Sequence, residues 1–279
     1  MLSKENYITY RKMLENPDIP YSEVKKYVGQ YMPQKLYRYR TFDQYYKSNI
    51  MDGQVYLACP NTYNDPFDSA VKFDYKKCVE VLLGKESANL FPEVLSNDSE
   101  LRILFENHYR GTFDGFKKYV KMACFSEKKD SILMWSHYAQ NHKGFCIEYE
   151  FDESNTFYKH LHPIIYTKER YTTSKRDMSN TNGKWIYKTI CRKSDVWSYE
   201  KEWRIVTVNF NKVMPDKLKY PNGKYVLDLK ENIKAFYLGA KIEKKYKEEI
   251  IWFAKQNNVE VYQMNLSPDS YDLITKRMI

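Results

Sequence analysis

The chain carries a series of short β-type runs that do not follow a fixed spacing, and this limits its possible folds more than any other feature. The runs are LYRYR at 36–40, QVYLACP at 54–60, YVKMACFS at 119–126, GFCIEYEF at 144–151, 163–167, EWRIVTVNF at 202–210, AFYLG at 235–239 and VEVYQMNL at 259–266. Helical patterns fall between some of them and not others. The spacing predicts helices over 4–15 and 21–31, in FDQYYKSNI, in DSILMWSHYAQ and in IEKKYKEEIIWFAKQ, with a mostly helical pattern over 75–120. Strands and helices mixed without regular βαβ alternation point to an α+β fold with a mixed, mainly antiparallel sheet and flanking helices. No repeat and no Pro/Gly/Ser linker divides the 279 residues. The expected organisation is an N-terminal helical segment, 1–34, packed on a single α+β domain, 35–279.

Local chemistry fixes several boundaries. Asp130 or Ser131 is placed to cap a helix in which Ile132, Trp135 and Ala139 share a face. Asn64-Asp65-Pro66 favours a turn, because Pro66 biases Asp65 away from helical backbone. In GFCIEYEF, Phe145, Ile147 and Tyr149 alternate against Cys146 and Glu148.

Five cysteines, with no CxxC and no zinc-ligand spacing among the five histidines, exclude a disulfide scaffold and the common zinc motifs. A reducing, cytoplasmic setting is the expectation. No apolar run reaches the length of a membrane span, so no membrane partner and no metal are expected. The formal charge of +9 favours anionic ligands, but the lysine pairs at 76–77, 117–118, 128–129 and 244–245 are scattered rather than gathered in one tract. The 27 tyrosines suit a cleft of mixed polar and apolar character. A Walker A loop, GxGxxG and GxSxG are all absent.

Four clusters can carry chemistry. In LYRYR, alternation puts Arg38 and Arg40 on one strand face and Tyr37 and Tyr39 on the other. Two arginines side by side need carboxylates or a ligand anion. Asn64-Asp65-Pro66-Phe67-Asp68 is either a plain turn closing a loop or part of a site. Trp135, Ser136, His137 and Tyr138 follow Ser126 of CFS, with Trp135 and His137 on different sides of the helix. In YEKEWR, an extended backbone sets Glu200, Glu202 and Arg204 on one face. They form either a network pinning the sheet edge or a carboxylate beside aromatic walls, which is equipment for stabilising an oxocarbenium ion.

Together, LYRYR, NDPFD, CFS, MWSHYAQNHKGFCIEYE and WSYEKEWRIV resemble the bacterial family catalogued as domain of unknown function 2971, over roughly residues 35–270. More distantly the chain resembles the ADP-ribosyltransferase fold, a split sheet that uses NAD. That resemblance implies that Arg38 or Arg40 holds an NAD phosphate or ribose and that Ser126 helps place the ribose. Glu202 would engage a ribose hydroxyl and stabilise the oxocarbenium ion, while Glu200 orients the acceptor. Tyr39, Tyr138 or Trp135 would stack on nicotinamide. Asn64, Asp65, His137 and Arg204 complete the candidate cofactor-binding set. Where those enzymes carry Ser-Thr-Ser, this chain has only Phe125-Ser126.

The implied activity is NAD glycohydrolysis or ADP-ribosyl transfer to a nucleic acid or protein, in a toxin or phage-defence setting with an antitoxin or defence partner. Glu202→Gln is then expected to keep the fold and abolish nicotinamide release. The alternative is a non-catalytic nucleotide- or nucleic-acid-binding module.

Overall fold

The structure is a computed structural model. It describes residues 2–76, 79–80, 84, 86, 100–152, 160–173, 184–208, 218–219 and 223–279. Eight strands build the main sheet: β1 (Lys35–Arg40), β2 (Val120–Ser126), β3 (Phe145–Glu150), β4 (Leu161–Pro163), β5 (Glu202–Val208), β6 (Ile233–Leu238), β7 (Glu260–Leu266) and β8 (Leu273–Arg277). Their order across the sheet is β8-β7-β6-β3-β1-β2-β5-β4. Every neighbouring pair is antiparallel except β6 and β7. That parallel pair needs a crossover, and the helix Lys244–Asn257 supplies it. The protein is therefore α+β, with a mixed and mainly antiparallel sheet.

The alternation read from GFCIEYEF is real but does not separate inside from outside. β3 is central, and both of its faces are buried. Phe145, Ile147 and Tyr149 enter the larger apolar cluster, while Cys146 enters a second one with Tyr37, Tyr39 and Trp135. Glu148 is buried too, and it is satisfied by Lys35 Nζ and the Tyr237 hydroxyl, each at 2.7 Å.

Two N-terminal helices, Lys4–Glu15 and Tyr21–Gly29, place Tyr10, Leu14, Val24 and Val28 in the larger cluster. They also lie against β4, where Lys25 Nζ donates to the Leu161 carbonyl at 2.9 Å and the Tyr7 hydroxyl donates to that of Ile164. These contacts cover a sheet edge that would otherwise expose unpaired backbone. Behind the first helix, the Lys184 ammonium is enclosed by the carbonyls of Met13, Asn16 and Ile19 at 2.6–2.8 Å.

One seam in the sheet is incomplete. β1 pairs with β3 along all six of its residues, yet it meets β2 only at Tyr37 opposite Ser126. Beyond that point β1 and β2 diverge. The helix Ile132–Tyr138 packs against β1 there, capped by Ser131 Oγ accepting from the Met134 N–H, with Trp135 edge-on to Tyr39. After the helix the chain passes through three consecutive left-handed residues, Gln140, Asn141 and His142. It then enters β3 at Gly144, where a Cβ would collide with the Arg40 carbonyl oxygen.

Among the described residues, no helix is long and apolar enough to cross a membrane. Of the cysteines, Cys59, Cys124, Cys146 and Cys191 are free thiols, and Cys78 lies outside the described residues. Much of the helical pattern read over 75–120 also lies outside them, and the described part forms the helix Glu100–Lys117.

Candidate functional site

The gap between β1 and β2 opens into a cavity of about 290 Å³. Tyr37, Arg38, Tyr39 and Arg40 line it from β1, and Met122 through Ser126 line it from β2. Tyr138 and Met134 enter from the helix, Tyr56 from the short strand Gln54–Tyr56, Tyr63 and Asn64 from the loop after it, Lys193 and Glu200 from the segment before β5, and Glu202 from the start of β5. Guanidinium groups and carboxylates thus share one cavity.

The carboxylate side is a closed network. Lys193, on the short strand Arg192–Ser194, puts its ammonium 2.5 Å from Glu200 Oε2, 3.4 Å from Glu202 Oε2 and 3.9 Å from Asp68. Arg204 is fully buried. Its Nε donates to Glu202 Oε1 at 2.6 Å, and its two terminal nitrogens donate to Asp68 at 2.8 and 2.5 Å, with further bonds to Glu202 and the Ile190 carbonyl. The Tyr138 hydroxyl donates to Glu200 Oε1 at 2.7 Å, and Ser126 Oγ donates to the Glu200 carbonyl.

Three carboxylates, Asp68, Glu200 and Glu202, face two cations, Lys193 and Arg204, so the cluster holds one negative charge too many. The excess falls on Glu200. Burial first, and then repulsion from Glu202, push its carboxyl up to about 7. Burial acts on Glu202 in the same sense, but Arg204 and then Lys193 overcome it and hold that carboxyl at about 2. Two neighbouring carboxyls with pKa values pushed apart can divide acid–base and electrostatic roles.

The arginine side is open. Arg38 reaches across the gap to the carbonyls of Cys124 and Tyr56 at 3.5 and 3.4 Å and lies 5.6 Å over the Phe125 ring. Among the described residues no carboxylate is within ion-pair distance of it. Among the described residues Arg40 has one long ion-pair contact, Nη2 to Asp43 Oδ2 at 3.4 Å, and its buried Nε has no partner. Burial, and after it the charge of Arg38, lowers the Arg40 pKa from its ordinary value.

Of the residues singled out from the sequence, Arg38, Tyr39, Arg40, Asn64, Ser126, Tyr138, Glu200 and Glu202 line this cavity. Asp65, Trp135, His137 and Arg204 do not. Asp65 is buried in its turn, with Oδ1 accepting from the Phe67 N–H. Trp135 is wholly buried and donates Nε1–H to the Lys129 carbonyl, which leaves no free ring face for a ligand. His137 points outward, with Nδ1 3.0 Å from the Tyr199 hydroxyl. Arg204 lies behind Glu202 with its donors occupied. Tyr39 is positioned by its hydroxyl bond to the Lys128 carbonyl at 2.8 Å.

The extended reading of YEKEWR needs correction. Asp195–Glu200 is a 3₁₀ turn, and Lys201 is left-handed at φ 45°, so Glu200 is not on the strand at all. The two carboxylates converge because both reach Lys193. Lys193 does not stand out in the sequence as a site residue, and Asp68 stands out only as a member of the NDPFD cluster, with no role assigned. Lys193 carries no local motif, and Asp68 becomes meaningful only once the NDPFD loop is folded against β5.

No curated protein and no solved structure matches this chain. A family described as "Protein of unknown function (DUF2971)" matches over residues 134–205, which takes in Tyr138, Lys193, Glu200, Glu202 and Arg204. The match covers 72 of the 279 residues.

Proposed function

We propose that the cavity between β1 and β2 binds NAD and cleaves its nicotinamide–ribose bond, passing ADP-ribose to water or to an acceptor. The observation that carries this reading is that Arg38 and Arg40 line the same cavity as Glu200 and Glu202. The resemblance of LYRYR, CFS and EKE to the ADP-ribosyltransferase elements supports it. So does the partial seam at Tyr37 and Ser126, which leaves a cleft between β1 and β2.

In the proposed chemistry the C1′–N bond breaks and its electron pair leaves with nicotinamide. Positive charge then develops on the ribose C1′ and ring oxygen. Glu202, ionised at any pH near neutral, supplies the opposing charge from the cavity wall. Glu200 accepts the proton of the attacking water or acceptor hydroxyl, and its pKa of about 7 suits that role. The products are nicotinamide, ADP-ribose or its adduct, and a proton. At about 290 Å³ the cavity is at the small end of ligand sites, so it takes the nicotinamide half. The arginines meet the phosphates at its mouth.

The test is nicotinamide release by wild type and by Glu200→Gln, with urea denaturation to confirm an intact fold. Loss of a general base costs roughly 10²–10⁴ in rate. Equal turnover in the folded variant would remove Glu200 from the mechanism.

One observation favours a second reading, a nucleotide-binding module without turnover. Both oxygens of Glu202 are already engaged by Arg204 and Lys193. On that reading NAD binds in a salt-dependent way that Arg38→Ala abolishes, and wild type releases no nicotinamide.

A further inference from the structure

The loop 63–70 serves two cavities. Tyr63 and Asn64 line the one already described, while Pro66, Phe67 and Ala70 line a larger one of about 900 Å³. Its remaining walls are the helix Glu100–Lys117 and the paired strands Val71–Phe73 and Tyr171–Thr173.

This second groove is basic. Among the described residues, Lys72, Arg102, Arg110, Lys117 and Arg170 line it against Glu106, Asp114 and Glu169, a surplus of two positive charges. The acids Glu106 and Asp114 are matched within the helix, by Arg102 at 3.0 Å and Lys117 at 3.4 Å. Aromatic rings alternate with the cations. Phe67 is 56% exposed, with the Arg170 guanidinium 4.7 Å from its ring centre, and Phe113 lies beneath Lys117 at 4.9 Å. A basic groove tracks phosphates, and the exposed Phe67 ring offers a face on which a base stacks, whereas Phe113 is buried and only anchors Lys117. An acidic peptide would meet the same charges but would make no use of an exposed phenylalanine.

We infer that this groove binds a single strand of nucleic acid, running past the NDPFD loop beside the first cavity. The inference stands whether or not the first cavity turns over NAD.

Fluorescence anisotropy with a labelled oligo-dT strand, over roughly 50 to 200 mM salt, tests it. The triple variant Lys72→Ala, Arg110→Ala, Arg170→Ala removes three exposed cations and should keep the fold. It should bind at least tenfold more weakly, with a salt slope shallower by about 2, since each phosphate contact on a single strand contributes about 0.7. Phe67→Ala alone should weaken binding about tenfold while leaving the salt slope unchanged. Unchanged affinity in either variant overturns the inference, and so does displacement of the strand by polyglutamate at equal charge concentration. Nicotinamide release, measured on the same proteins, keeps the two cavities apart. Strand binding without turnover counts against the NAD reading only, and turnover without strand binding counts against this one only.

Discussion

The two sides of the first cavity solve the burial of charge differently. On the β5 side, Arg204, Lys193, Asp68, Glu200 and Glu202 satisfy one another at 2.5–3.9 Å, with scarcely a donor left over. On the β1 side, Arg38 and Arg40 have two long carbonyl contacts, one long carboxylate contact and an orphaned Nε. A charge neutralised from within holds the fold together, whereas one left under-compensated is available to a ligand. The contrast separates scaffold from candidate binding surface within one cavity. It also explains why Arg204 supports the site rather than lining it.

The sharpest way to break that contrast is to truncate one arginine from each side. Arg204→Met leaves Asp68 and Glu202 buried without their partner and should cost about 3–5 kcal/mol in urea denaturation. Arg38→Met should change stability by less than about 1 kcal/mol and abolish ligand binding. Equal costs for the two variants would erase the distinction.

The carboxylates themselves come next. Glu202→Gln removes an anion bonded to Arg204 and should cost about 2 kcal/mol. Glu200→Gln removes the strained one and should be close to neutral at pH 8. The pH dependence sharpens this difference, because the two groups act in opposite senses. Glu202 is held at about 2, so its contribution is present above the ordinary range near 4.5 and lost as pH falls toward 2. Glu200 is raised to about 7, so the folded state holds an extra proton between about 4.5 and 7, and stability falls as pH rises through that window. Urea midpoints measured across pH should show that decline in wild type and not in Glu200→Gln.

The smallest effect should come from Tyr138→Phe. Its hydroxyl donates to the Glu200 carboxylate, so removing it raises the Glu200 pKa further and moves the acid limb of any NAD turnover to higher pH. A limb that stays in place would show that Glu200 does not govern the rate.

Much of the fold was legible. The runs LYRYR, YVKMACFS, GFCIEYEF and EWRIVTVNF became β1, β2, β3 and β5 to within a residue or two, and Ser131 is the cap of its helix. Their periodicity is local, so the sequence carries it. What was hidden is tertiary. ITKR in β8 and KWIYKTI in the helix Lys184–Ile190 lack a clear period, and packing decides their structure. The stretch 163–167 divides between β4 and a separate strand, Ile165–Thr167, that pairs with Arg192–Ser194.

The site follows the same rule. Arg38, Arg40 and Ser126 could be placed because strands fix their direction. Glu200 was put on the wrong element because nothing in YEKEWR announces the left-handed Lys201. Lys193, seven residues before Glu200, is joined to it only by the 3₁₀ turn between them. For the same reason Glu202→Gln, fold-neutral on the sequence, becomes a stability variant once Arg204 is seen behind it.

Crystals of the wild-type protein soaked with NAD test the central claim most directly. Density for a phosphate is expected within hydrogen-bond distance of Arg38 or Arg40, with the ribose turned toward Glu200. Density on another face of the molecule, or none in that cavity at saturating NAD, would contradict it.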